Sequence, residues 1–226
     1  MTVRYHATHD RGYFGRQFGI EPVAGTSRIN VAAGDQGMFV RRPRTDIARK
    51  GAVPPLEAAT GRWGLIPLFS PDGHDRFTHE AASETAATER NFLQPWKRGH
   101  RCVVVADALW EAVGDTGASV RIARADGAPF CIAGLWNGWR SPTGACVESF
   151  ALLTIRADED FLTQQTPADR PQRRPVILPD AWIDEWFRAP VEETAAFLRP
   201  YPMQTLVATP RAMSGMAQTA ADPAGF

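Results

Sequence analysis

The chain has 226 residues, 25 basic and 25 acidic side chains, and 44% hydrophobic residues. At about 150 residues per domain, such a length fits one large domain or two small ones, and it buries a core without needing a disulfide or a metal. Zero net charge excludes a uniformly basic nucleic-acid coat protein and an acidic tail, but not a basic groove.

Of the 25 basic residues all but Lys50 and Lys97 are arginine, a side chain suited to bidentate phosphate contacts. Cys102, Cys131 and Cys146 form no C-x-x-C pair and read as reduced thiols. No apolar run reaches the ~18 residues of a membrane span, and the opening residues lack the apolar stretch of a signal peptide. The expectation is a soluble, cytoplasmic protein with no membrane partner.

Taken in chain order, the first third is broken by Gly, Pro and Arg, with short extended pieces at residues 28–31 and 37–40. Residues 40–62 hold six basic side chains, two acidic ones and three prolines without a clean period. That composition predicts an exposed loop region. Residues 81–92 are rich in helix formers. Strands then dominate. Residues 102–113 are apolar and β-branched, and 119–125 alternate as SVRIARA. Asp126-Gly127 then turns the chain into 129–139, a hairpin pattern. A second turn at 142–144 leads into a strand at 148–157.

Near the end, Pro179-Asp180 caps a helix with Trp182, Ile183, Trp186 and Phe187 on one face. A further short helix at 191–198 stops at Pro200. Strands first and helices at the edges, without β-α alternation, predict an α+β fold: one compact, barrel-like domain over residues 1–226, built on mostly antiparallel sheet with short flanking helices.

Nucleotide-binding glycine motifs and the G-x-S-x-G elbow are absent, so no cofactor is implied. His79-Glu80-Ala81-Ala82-Ser83 begins like a zinc-protease helix but lacks the second histidine that the motif exists to supply. No metal site is expected from it.

Several segments, read in order, resemble the SOS response-associated peptidase (SRAP) family of abasic-site-processing proteins. Met1-Thr2-Val3-Arg4-Tyr5 stands where the family has M-C-G-R-F. Arg28-Ile29-Asn30-Val31-Ala32 resembles R-Y-N-I-A, and Trp63-Gly64-Leu65-Ile66-Pro67 matches W-G-L-I-P. Residues 81–85 resemble the end of N-A-R-S-E-T, and residues 101–111 resemble R-C-L-V-P-A-D-G-F-Y-E. Ala133-Gly134-Leu135-Trp136 matches A-G-L-W, and residues 173–178 resemble R-M-P-V-I-L. The similarity spans about residues 1–212.

The resemblance implies a compact α+β domain that grips single-stranded DNA, including DNA with abasic sites. In the family the initiator Met is removed and a cysteine at position 2 attacks the ring-opened sugar aldehyde. Its α-amine forms a Schiff base and its thiol closes a stable thiazolidine, while an asparagine, a glutamate and a histidine orient the sugar and move protons. Here position 2 is Thr2, the asparagine position is Glu80 and the histidine position is Pro171. Only Glu111 keeps its type. A hydroxyl is a far poorer nucleophile than a thiolate, so the expectation is that the covalent chemistry is lost or reduced to a transient imine.

The expected DNA contacts are Arg4, Asn30, Arg41, Arg42, Trp63, Pro67, Thr154 and Arg173. Trp63 is the stacking candidate, with Trp136 assigned to the core. Arg41, Arg42, Arg44, Arg49 and Arg62 either track a phosphate backbone or form an ordinary solvated face. Glu80 and Glu111 are either drifted, solvated carboxylates or a coupled pair, able to do acid–base work or to hold a cation with His79. Three readings remain open: a DNA-binding protein with weakened covalent chemistry, a lyase or hydrolase using Glu111 and Glu80, and a non-catalytic interaction protein.

Overall fold

The computed structural model describes residues 2–25, 29–44, 54–73, 77–113, 118–156 and 173–211. In chain order the elements are β1 (Thr2–Ala7), α1 (Arg11–Phe18), β2 (Asn30–Ala32), β3 (Gln36–Arg41), β4 (Glu57–Trp63) and β5 (Glu80–Ala82). Then follow α2 (Leu93–Lys97), β6 (Arg101–Val113), β7 (Ala118–Arg124), β8 (Phe130–Arg140) and β9 (Cys146–Arg156). β10 (Arg173–Pro175), β11 (Ile177–Leu178), α3 (Ile183–Arg188) and β12 (Leu206–Arg211) complete the described chain.

Strands β3, β6, β8, β9 and β4 close into a five-stranded barrel. An odd number of strands cannot alternate direction all the way round, so one pair must be parallel; that pair is β4 with β9. Strands β4, β6 and β9 therefore end at one mouth of the barrel, while β3 and β8 end at the other. β5 adds to β9 in parallel. β1 and β7 flank the second half of β6, and β2 and β12 form the outer edges.

The 13 residues of β6 serve two bodies. Its first half pairs with β8 as far as Ala106, and its second half pairs with β7 from Leu109 onward. Between them the register against β1 slips: His6 faces Ala108 while Ala7 faces Ala106, leaving Asp107 as an extra residue. Such a bulge reverses which side chains point to which face. Before it Cys102, Val104 and Ala106 face one hydrophobic cluster; after it Leu109 does.

That cluster takes Phe39, Trp63, Phe130, Ile132, Trp136, Phe150 and Leu152 from the other barrel strands and fills the barrel interior. A second cluster, with Val103, Val105, Ala133, Ala151 and Leu153, covers the outside of the same strands. Alternating residues feed the two clusters, as period-2 geometry requires of a sheet buried on both faces. The outer cover is α1, with Tyr13, Phe14 and Phe18, and α3, with Ile183, Trp186 and Phe187. Asp10 caps α1 by accepting from the Tyr13 N–H at 3.0 Å. The α3 segment is tied down by the Trp186 indole, which donates to the Cys102 carbonyl at 3.1 Å, and by buried Arg101, which donates to the Ala189 carbonyl and to Thr194.

Most strand expectations hold, but the hairpin is placed differently. β7 and β8 do not pair with each other; β7 folds back on β6, and β8 returns to the first half of β6. The helix formers at 81–92 give successive turns with mixed i→i+3 and i→i+4 bonds. Tertiary tethers, including the Ser83 N–H to the Thr154 carbonyl at 2.8 Å, outweigh the weak preference of Ala and Glu for helix. The 40–62 region is no simple exposed loop either: its ends are β3 and β4, which pair from Gln36↔Arg62 to Arg41↔Glu57. Among the described residues no helix is long and apolar enough to cross a membrane.

Candidate functional site at the β4–β6–β9 mouth

Thr2 lies on β1 with its backbone in register with Glu111 on β6. Glu111 alternates with Trp110 and so points, with Leu109 and its cross-strand partner Val120, toward the barrel-interior cluster. It is only 8% exposed. The β1–β6 extension bends over the mouth: the Tyr5 ring, opposite Leu109, lies 5.3 Å from that of Trp63 at the end of β4. Trp63 in turn donates from its indole to the His79 carbonyl at 2.8 Å, which seats the start of β5 against the barrel.

β5 is registered on β9, with Glu80 beside Leu152 and Ala82 beside Thr154. Ala81 is in the outer cluster, so the flanking Glu80 and Ala82 face the same side as Leu152 and Thr154. The Thr154 side chain is fully buried and accepts from Arg173 Nε at 2.9 Å, while Arg173 Nη2 donates to the Thr154 carbonyl at 2.8 Å. The same Nη2 donates to Glu84 at 2.6 Å, and Arg156 approaches Glu84 from the other side at 3.8 Å. Burial pulls the Glu84 pKa up, but the Arg173 hydrogen bond and charge outweigh it and hold the carboxyl below the usual carboxylate range. One mouth thus gathers Thr2, Glu111, Glu80, Thr154 and Arg173.

Other expected site residues are elsewhere. Trp63 is fully buried, locked between Tyr5 and the His79 carbonyl, so its ring is not a stacking platform. Pro67 is buried as well. Arg41 ends β3 at the opposite mouth, 5% exposed. It donates to Glu148 through both terminal nitrogens (2.8 and 3.2 Å) and to Glu57 at 3.1 Å, and packs 4.0 Å over the Trp136 ring. Arg44 joins the same Glu148 at 3.0 Å. These two arginines are internal counter-ions rather than free phosphate contacts, while Arg42 beside them is exposed at that distant mouth.

Arg4 lies 4.5 Å over the Trp110 ring, on the face opposite Glu111. Exposed Asn30 is registered with His6 on that same outer face. Pro171 and Arg49 lie outside the described residues. Among the described residues no group of three His, Cys, Asp or Glu is placed to hold a metal ion, so the cation reading of His79, Glu80 and Glu111 has no such cluster behind it.

The profile of the SOS response associated peptidase (SRAP) family matches residues 1–213. The chain belongs to this family. Two curated relatives carry the name abasic site processing protein YoqW, from Bacillus subtilis (strain 168) and from Bacillus phage SPbeta. Each is 30% identical over 129 residues, covering 55% of this chain and 54% of the relative; the chain spans about half the length of the curated relatives it matches. Among solved structures, a Bordetella bronchiseptica protein superposes with a TM-score of 0.82 at 34% identity, over 93% of this chain and 100% of that one. A Bacteroides thetaiotaomicron protein (18% identity, TM-score 0.69, 91% and 90% coverage) shares the SRAP fold. So does a phage-related protein from B. bronchiseptica (23%, 0.64, 94% of each).

Sequence reasoning missed Glu84 as the partner of Arg173, although it stands in the E-T of a matched SRAP segment.

Proposed function

We propose that this SRAP-family protein binds single-stranded DNA carrying abasic sites across the β4–β6–β9 mouth, and that it engages the sugar aldehyde only transiently. The observation that carries the reading is residue 2 in backbone register with Glu111, with threonine where the family has cysteine. Once Met1 is removed, the α-amine of Thr2, with a typical pKa of about 7.7–8.0, keeps roughly a tenth to a sixth of its population neutral, and so nucleophilic, at pH 7. It adds to the aldehyde carbon, and loss of water gives an imine. Glu111, buried beside this position, gives a proton to the departing hydroxyl as the imine forms and takes one back from the incoming water as it hydrolyses. A thiol would close the ring; the threonine hydroxyl gives at best an oxazolidine that reopens. Arg173, oriented by Thr154 and Glu84, is the phosphate contact of this mouth.

The test is denaturing-gel cross-linking to single-stranded DNA with one abasic site, with and without borohydride, alongside the intact mass of the protein. The expected result is a band only with borohydride, from protein lacking Met1, and much reduced in Glu111→Gln. A heat-stable band without reductant refutes the loss of stable chemistry. No band under either condition refutes the imine.

A further inference from the structure

Arg173 on β10 and Arg156 at the end of β9 are directly opposed in the antiparallel pairing of the two strands. Like charges in that relation repel, and Glu84 lies between them. Its Oε2 accepts from Arg173 Nη2 at 2.6 Å, and its Oε1 stands 3.8 Å from Arg156 Nε. The side chain of Arg173 is 22% exposed and that of Arg156 is 73% exposed. Glu84 thus bridges a part-buried cation of the mouth and a solvated one beside it.

A guanidinium has five N–H groups and presents parallel pairs of them on its edges. On Arg173, Thr154 takes the side edge: Nε donates to its hydroxyl at 2.9 Å and Nη2 to its carbonyl at 2.8 Å. The end edge uses one hydrogen of Nη1 and the second hydrogen of Nη2. Among the described residues nothing accepts from Nη1, but the second hydrogen of Nη2 is on Glu84. A phosphate can therefore meet Arg173 through one N–H while Glu84 stays, and through a parallel pair only when Glu84 leaves.

We propose that Glu84 is a displaceable internal anion: it masks the end edge of Arg173, and a substrate phosphodiester takes its place there. Leaving does not strand the carboxylate. Arg156 remains as its ion-pair partner, and at 41% exposure the Glu84 side chain is already in part solvated. Thr154 keeps the guanidinium in position throughout, so the exchange needs no movement of Arg173. Glu84 acts through Arg173 and is a positioning residue. The inference rests on the reading that this mouth binds abasic-site DNA, and it adds the residue that decides how tightly Arg173 can hold the strand.

The test uses the whole protein and a labelled single strand of about 15 nucleotides carrying a central tetrahydrofuran analogue of an abasic site. That analogue has no aldehyde, so it reports binding apart from imine chemistry. Anisotropy compares wild type, Glu84→Gln, Arg173→Gln and the double variant. Glu89→Gln, an exposed acid on the same segment, controls for net charge. An ion pair this exposed is worth up to about a fivefold change, so Glu84→Gln is expected to bind about two- to fivefold more tightly. In the Arg173→Gln background the same change is expected to do nothing. Weaker binding in Glu84→Gln overturns the proposal, because Glu84 would then support the contact. A gain that persists without Arg173, or that Glu89→Gln matches, also overturns it, since charge repulsion alone would explain either. No binding by wild type overturns the mouth reading and this inference with it. Wild-type binding with no gain in Glu84→Gln overturns the inference and leaves the reading standing.

Discussion

Replacing Tyr5 by phenylalanine is expected to stabilise the protein. The Tyr5 side chain is fully buried, and its hydroxyl finds no hydrogen-bond partner among the described residues. Burial, with Cys102 and Asp35 nearby, drives its pKa far above the ordinary phenol value, so it stays neutral at any working pH. A buried hydroxyl without a partner costs about 1–3 kcal/mol, and removing it recovers that cost less the small packing loss of one oxygen. We expect a gain of about 1 kcal/mol, or roughly 2–4 °C in Tm for a chain of this size.

The cleft that admits the hydroxyl is made by Gly37. A Cβ there would sit well inside van der Waals contact of the Tyr5 oxygen and 3.0 Å from the Phe150 ring. Gly37→Ala alone is expected to cost about 1–3 kcal/mol by overpacking, and less in the Tyr5→Phe background, where the oxygen is gone. Urea unfolding of the four proteins in a double-mutant cycle measures the coupling, expected at about 1 kcal/mol. If Tyr5→Phe destabilises, or the two changes add without coupling, the hydroxyl does not sit against Gly37 unpaired and the reasoning fails.

Other expectations concern charges and thiols. Arg41→Met should cost about 3 kcal/mol in urea unfolding, because it removes the buried guanidinium that Glu57 and Glu148 share, with Arg44 remaining on Glu148; a change below about 0.5 kcal/mol would show the network to be solvated. Glu84 has a folded pKa below its unfolded one, so its pairing adds stability above the usual carboxylate value of ~4.3 that disappears as pH falls through the folded value. The stability difference between wild type and Glu84→Gln should therefore shrink on acidification, and a difference that grows there would contradict the Arg173 pairing. Of the three thiols only Cys146 is exposed, while burial pushes the Cys131 pKa up to about 12 and Cys102 higher still. A thiol-specific reagent should label one cysteine in native protein and all three in denaturant; fast labelling of a second in native protein would show that the barrel opens.

What the sequence made legible was local or carried by motif. The alternation in 119–125 and the β-branched run from Cys102 read directly as β7 and β6, and the ordered SRAP-like segments pointed to the family and to Glu111. Long-range facts were not legible. Arg41 looked like a surface charge because its partners Glu57 and Glu148 lie 16 and 107 residues away along the chain. Trp63 looked available because nothing in W-G-L-I-P says that Tyr5 will cover it. The β7–β8 hairpin looked plausible because Asp126-Gly127 is a good turn, and no local signal shows that β6 is long enough to take both strands as partners.

The extra residue at Asp107 has a consequence for how this protein can vary. It sets the phase of everything after it on β6, so the length of the segment matters as much as its letters. Losing the extra residue would remove the bulge and leave Ala106, Ala108 and Leu109 in regular alternation, with Glu111 still toward the mouth; gaining one residue between the bulge and Leu109 would present Trp110 to the mouth and turn Glu111 to the outer sheet without altering a single existing side chain. A substitution at Asp107 that kept the count would leave both faces as they are. For β6, then, an added residue after the bulge is the drastic mutation, while loss of Asp107 or a change of residue there is the milder one.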